Sequence, residues 1–212
     1  MAVRGSGFHL RRSPGGPAGN SFSVPGVSTG TNLTTISVPS GAAAGDMLLL
    51  YISSGLSNST TAPSGFTQLF LDTGGGIRYG IHYRVMQAGD TSWTLSGVYA
   101  TLVALHSTGG TPVADGAANT QQTTGGTWSS PSLTPTTGSD AALMSFLSSD
   151  GANRAPAPGY TALITYNLSG PGGSGMSISF TQLASSSAFA GTTCGAVAST
   201  GFLGSAAMLL FK

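Results

Sequence analysis

The chain reads as an all-β protein, an antiparallel β-sandwich or jelly roll, and three observations predict it. Charged residues make up only 6% of the 212 positions, glutamate is absent and Lys212 is the only lysine. The residues from which exposed helical surfaces are usually built are therefore missing. Ser, Thr and 33 glycines stand in their place, and these suit strands, turns and close backbone approach. Finally, one stretch occurs twice. Gly45-Asp46-Met47-Leu48-Leu49-Leu50-Tyr51-Ile52-Ser53-Ser54-Gly55 resumes as Ala62-Pro63-Ser64-Gly65-Phe66-Thr67-Gln68-Leu69. Its counterpart is Ser139-Asp140-Ala141-Ala142-Leu143-Met144-Ser145-Phe146-Leu147-Ser148-Ser149-Asp150-Gly151, resuming as Ala157-Pro158-Gly159-Tyr160-Thr161-Ala162-Leu163. The same interval separates Asp46 from Asp140, Phe66 from Tyr160 and Leu69 from Leu163. Each copy is an acid-started strand, a Ser-Ser exit, a Pro-Gly turn, an aromatic residue and a further strand. Two similar halves, about residues 27–109 and 127–212, then supply two facing sheets.

Residues 1–26 form an extended arm with Arg4, His9, Arg11 and Arg12, no acidic residue, and the breakers Pro14-Gly15-Gly16-Pro17 and Pro25-Gly26. The arm has no periodic apolar face and builds no core. Its basic residues suit anchoring on an acidic neighbour. Leu33, Ile36 and Val38 predict a first strand over 32–38, ended by Pro39-Ser40-Gly41. Met47–Ile52 is a continuous apolar run of strand length, which predicts a strand covered on both faces. Another strand is expected over 67–71. Ile77–Met86 gives the clearest alternation, with Ile77, Tyr79, Ile81, Tyr83 and Val85 on the core side and Arg78, Gly80, His82 and Arg84 outside.

A turn at Gln87-Ala88-Gly89-Asp90 precedes a short strand around Trp93 and Leu95, and Ala100–His106 supplies another. Ser107–Gly126 reads as a polar connection. In the second half, Thr161–Tyr166, Met176–Phe180 and Ala206–Phe211 complete the repeat of the order. Ala206–Phe211 is the counterpart of Ala100–His106.

Composition excludes several functions. A formal charge of +1 on so few charged groups gives little repulsion between copies, which suits life inside an assembly and a homo-oligomer. Few basic residues and little aromatic–basic interleaving argue against nucleic-acid binding. The apolar runs are too short for a helical membrane span, and residues 1–20 have no apolar signal core. Asn32, Asn58 and Asn167 head Asn-x-Ser/Thr triplets, but without secretory context they read as chance in a Ser/Thr-rich chain. Cys194 is the one cysteine, so it makes no internal disulfide.

No catalytic, cofactor or metal site is expected. Gly26-Val27-Ser28-Thr29-Gly30 matches the nucleophile-elbow pattern, but Pro25 precedes it and strand-like residues follow, so a turn explains it. The glycine runs at 74–76 and 170–175 lack the Lys-Ser/Thr of a phosphate loop. Asp46, Asp90 and Asp140 stand where an aspartate caps its own turn, and no spacing suggests the paired carboxylates of a glycosidase. His9, His82 and His106 have no metal-ligand spacing. Arg78, His82 and Arg84 do make a small basic ridge, suited to an acidic partner or a glycan.

The segment Ala44-Gly45-Asp46-Met47-Leu48-Leu49, Ala62-Pro63-Ser64-Gly65-Phe66-Thr67 and Tyr83-Arg84-Val85-Met86 resembles a signature of tailed-phage and prophage virion proteins. The resemblance covers roughly residues 38–105 and, more faintly, the second copy, where Ser179-Phe180-Thr181 replaces Tyr-Arg-Val. It implies a β-sandwich in a virion setting: a non-enzymatic head decoration or cement protein on the particle exterior, made in the host cytoplasm and bound through its arm to the major capsid protein. A tail or fibre module that binds a receptor or host glycan is the alternative. With aromatic residues at 8% and several pointing inward, few remain for stacking on sugars.

Overall fold

The computed structural model describes residues 20–55, 60–72, 77–122, 128–129, 131–133, 141–148, 160–167, 175–182, 193–194 and 204–212. Among them there is no helix. The strands are β1 (Phe22–Ser37), β2 (Met47–Gly55), β3 (Thr67–Asp72), β4 (Ile77–Val85), β5 (Ser92–Ser107), β6 (Ala114–Gln122), β7 (Trp128–Ser129), β8 (Ala141–Ser148), β9 (Thr161–Asn167), β10 (Gly175–Gln182), β11 (Thr193–Cys194) and β12 (Gly204–Phe211). They form two five-stranded sheets, ordered β1-β5-β2-β4-β3 and β6-β12-β8-β10-β9, with β11 and β7 as a short separate pair. Each pairing is antiparallel. The all-β sandwich expected from composition and patterning is the fold.

Reading β6 for β1, β8 for β2, β9 for β3, β10 for β4 and β12 for β5 turns the first strand order into the second. The registers also correspond. Met47 faces Leu105 as Ala141 faces Phe211, and Leu50 faces Leu102 as Met144 faces Met208. The expected repeat of Asp46 at Asp140 lies outside the described residues on its second member.

The core lies between the sheets, where alternate residues of each strand meet. Met47, Leu49, Tyr51, Tyr79, Ile81, Val103 and Leu105 of the first sheet share one buried cluster with Ala141, Leu143, Met176, Ile178, Ala207, Leu209 and Phe211 of the second. The Tyr79 hydroxyl crosses the layer and donates to Ser145 Oγ at 2.8 Å. At the margin, the backbone N–H of Phe22 donates to Gln182 Oε1 at 2.7 Å.

Three expectations are corrected. The arm is shorter than residues 1–26, because β1 already starts at Phe22, which is buried and faces Ser107. Pro25-Gly26 looked like a stop, but β1 is an edge strand, where a proline is tolerated; the pairing is irregular between Ser23 and Gly26. The polar connection at 107–126 contains β6, whose strand character comes from its pairing with β12 and not from an apolar pattern. The two strands expected around Trp93 and after Ala100 are one continuous strand that passes Gly97 in a left-handed conformation (φ 64°).

That last point shapes the outer face of the first sheet. β5 pairs with β2 only over Tyr99–Leu105, so Ser92–Val98 overhangs together with the end of β1. Pairing between β1 and β5 shifts register between Gly30 and Leu33 and again before Thr35, the positions where a bulged pair bends. Leu33, Ile36, Trp93, Leu95 and Val98 thereby join Leu48, Leu50, Ile52, Leu102 and Ala104 in a second apolar cluster. β2 is covered on both faces, as its unbroken apolar run predicted.

Candidate functional site

The second cluster continues onto β4, where the basic ridge was expected. Tyr79 and Ile81 point into the intersheet core as predicted, Tyr83 and Val85 are half-buried, and the side chain of Ile77 lies outside the described residues. On the other face Arg78 and Arg84 are half-buried and His82 is only 2% exposed. The solvent-facing ridge is therefore corrected. Its residues share a face, but Trp93 of β5 and Phe66 lie against Arg84, and Thr60 of the β2–β3 connection lies against His82.

Arg84 is held from several sides. Its Nη2 donates to both carboxylate oxygens of Asp90, at 2.9 and 2.8 Å. Its guanidinium lies 5.2 Å from the Trp93 ring centre and 5.8 Å from that of Phe66. The two rings meet edge to face at 5.1 Å. An ion pair backed by cation–π stacking fixes the turn from β4 into β5. A Cβ on Gly65 would fall 2.5 Å from Arg84 Nη1, so the Pro-x-Gly turn is also the seat of the guanidinium.

His82 sits between Leu50 of β2 and Gln68 of β3. Its ring lies over Gly80, where an added Cβ would come within 2.7 Å of Nε2. Nε2 is 2.9 Å from the carbonyl oxygen of Thr60. A carbonyl only accepts, so Nε2 carries the proton and Nδ1 of the neutral ring is left as an acceptor. Nδ1 is buried and has no partner among the described residues. Burial lowers the pKa of His82, and the bond to Thr60 offsets this in part. The group is a neutral acceptor, not a cation. Beside it opens a depression of about 180 Å3 lined by Thr60, Thr61, Ala62, Phe66, Gln68, Leu71 and His82.

A second depression, about 250 Å3, lies at the end of β5 and includes Asp46, His106 and Thr111. Asp46 is 3% exposed. Its Oδ2 accepts the N–H of Ala43 at 2.8 Å, closing its own turn as expected, and its Oδ1 is 2.7 Å from Nδ1 of the half-exposed His106. The Asp90 carboxylate closes its turn in the same way, accepting from the N–H of Gln87 at 2.8 Å. Sequence reasoning found the turn caps and missed the Asp46–His106 pair. The signal was the strand register: once Met47 faces Leu105, their neighbours Asp46 and His106 must adjoin. The hydroxyl of the adjacent Ser107 accepts from the N–H of Gly109 at 3.2 Å. The pair ties the entry of β2 to the exit of β5.

No group of three or more His, Cys, Asp or Glu side chains among the described residues could hold a metal ion, and no helix there is long and apolar enough to cross a membrane. The arm residues Arg4, His9, Arg11 and Arg12 lie outside the described residues. Comparison of the chain with family models, with curated proteins and with solved structures finds no match.

Proposed function

We propose that the chain is a non-enzymatic structural protein of a tailed-phage particle, placed on the exterior and decorating the head. One observation carries this reading: Asp46, Phe66 and Arg84 of the virion-type signature are each used to build the sandwich. Asp46 caps its turn and holds His106, Phe66 packs on Trp93, and Arg84 pairs with Asp90 over both rings. A signature spent on turns and layers suits a module selected for its shape. The uncharged Ser/Thr surface and the basic arm suit docking among neighbours, with the major capsid protein as the partner and other copies of the chain beside it.

The test is the number of copies per purified particle, measured by quantitative mass spectrometry against the major capsid protein. Hundreds of copies support head decoration, and a handful place the chain in the tail or a fibre. Absence from particles of a host making the protein removes the virion reading. Particles mixed with protein lacking residues 1–20 should stay undecorated if the arm anchors; full occupancy by the truncated protein would end that role.

A further inference from the structure

We propose that β1 joins two copies of this chain, pairing antiparallel with its own counterpart across a twofold axis at Ser28. Among the described residues no strand pairs with the far side of β1, the outermost strand of the first sheet. Such an edge presents a row of backbone donors and acceptors to any strand that fits. Edges are commonly guarded by charge, yet no charged residue occurs between Arg12 and Asp46. The guards present are local. Pro25 and a register shift precede Gly26, and further shifts follow Gly30. Between them Gly26-Val27-Ser28-Thr29-Gly30, whose sequence suggests a turn, is strand that faces Ala104 to Ala100 without a break.

The order of these five residues selects the partner. Read about Ser28, the segment is its own complement: Gly26 comes opposite Gly30, Val27 opposite Thr29, and Ser28 opposite Ser28 of the second copy. Valine and threonine are both β-branched and suit a pleated surface, and two serine hydroxyls can bond across the axis. Val27 packs on the intersheet cluster, and the Thr29 hydroxyl lies 2.9 Å from that of Thr101. The Val27–Thr29 contacts thus continue the intersheet layer from one copy into the next. A Cβ at Gly26 would meet the Ser40 carbonyl and one at Gly30 the Leu33 side chain, so both ends of the segment stay bare. A formal charge of +1 gives little repulsion between copies. The contact uses the same patch on both copies and closes on itself. Two five-stranded sheets become one continuous sheet.

The test is sedimentation of the full chain between about 1 and 100 micromolar, where so short a contact should associate with Kd on the order of 10 micromolar. Ser28→Lys and Ser28→Asp each place like charges opposite one another at the axis. Each should weaken association about tenfold, with a urea midpoint near that of wild type, because Ser28 is only half-buried. Mixing the two variants sets Lys opposite Asp and should return association to near the wild-type level. That recovery distinguishes pairing at Ser28 from any other dimer. A chain that stays monomeric throughout overturns the proposal and leaves the edge to a strand of another protein. A dimer indifferent to both substitutions overturns it as well, as does a mixture no tighter than either variant alone. The pairing belongs to the isolated chain and needs no particle, so this proposal and the copy-number reading fail separately.

Discussion

The two five-stranded sheets share strand order and register, yet the side chains they bring to their common core are not alike. The interval that carries Asp46 to Asp140 carries Met47 to Ala141 and Tyr51 to Ser145, and β2 and β8 begin at matching positions. At these two positions large residues on the first sheet correspond to small ones on the second, while Leu49 and its counterpart Leu143 are alike. The relation reverses on the neighbouring strand, where Val103 and Leu105 correspond to Leu209 and Phe211. Two facing sheets with identical side chains would crowd at some levels and leave gaps at others. Pairing large with small keeps the layer at interior packing density. The difference teaches that a repeated backbone does not need a repeated core, only a complementary one.

The strongest test of the shared core is a pair of equivalent truncations. Ile81 faces Tyr51 across β2–β4 and Ile178 faces Ser145 across β8–β10, so they hold the same place in their sheets. Both are fully buried in one cluster. Ile81→Ala and Ile178→Ala should each cost about 2–5 kcal/mol, measured by urea denaturation. A large loss at one and almost none at the other would mean that the sheets do not stabilise each other through this layer.

The next effect concerns the buried side-chain hydrogen bond between Tyr79 and Ser145 across the layer. Ser145→Ala takes the acceptor from the buried Tyr79 hydroxyl and should cost about 1–3 kcal/mol. Tyr79→Phe should cost less, about 0.5–1.5 kcal/mol, since a small hydroxyl is left behind. The double variant should lie closer to wild type than the sum of the two, with a coupling of at least about 0.5 kcal/mol. Strict additivity would show that the 2.8 Å contact contributes no energy of its own.

Tyr51 should behave in the opposite way. Its ring stacks 6.5 Å from that of Tyr79, but its buried hydroxyl has no partner among the described residues, and burial drives its pKa upward. Tyr51→Phe removes an unmet polar group while keeping the ring, so it should stabilise the fold by about 1 kcal/mol. A loss of stability would reveal a partner for that hydroxyl.

What the sequence disclosed follows the same division. Alternation in β4 marked Tyr79 and Ile81 as core, and the unbroken run Met47–Ile52 marked a strand covered twice; both are local patterns that burial imposes directly. The fate of Arg78, His82 and Arg84 was not local. It depended on Trp93 of β5, and Phe66 and Thr60 of the β2–β3 connection, being brought against Arg84 and His82, which alternation within β4 does not encode. β6, Ala-Asp-Gly-Ala-Ala-Asn-Thr-Gln-Gln, has no apolar alternation because it is an edge that takes its conformation from β12. The depression beside His82 joins residues from the β2–β3 connection, β3 and β4, and only the assembled sheet brings them together.

The smallest effect at neutral pH, and the one that separates the two faces of β4, belongs to His82. In the unfolded chain its imidazole takes up a proton near pH 6.5. In the fold, burial lowers its pKa, so the native state binds fewer protons below that point. Stability must then fall as pH drops below about 6.5 and level off beneath the folded-state pKa. Burial is the larger cause, and the bond to the Thr60 carbonyl opposes it in part. Arg78 and Arg84 share its face of β4, Leu50 and Gln68 flank it on β2 and β3, and the Asp90 carboxylate is already paired with Arg84. His82→Gln keeps an N–H for the Thr60 carbonyl but cannot take a proton. Urea midpoints between pH about 7.5 and 5, above the usual range of aspartate titration near 3.9, should fall more steeply for wild type than for this variant. Equal slopes would mean that His82 gains its proton as readily in the fold as outside it, and the covered outer face would then be open to water.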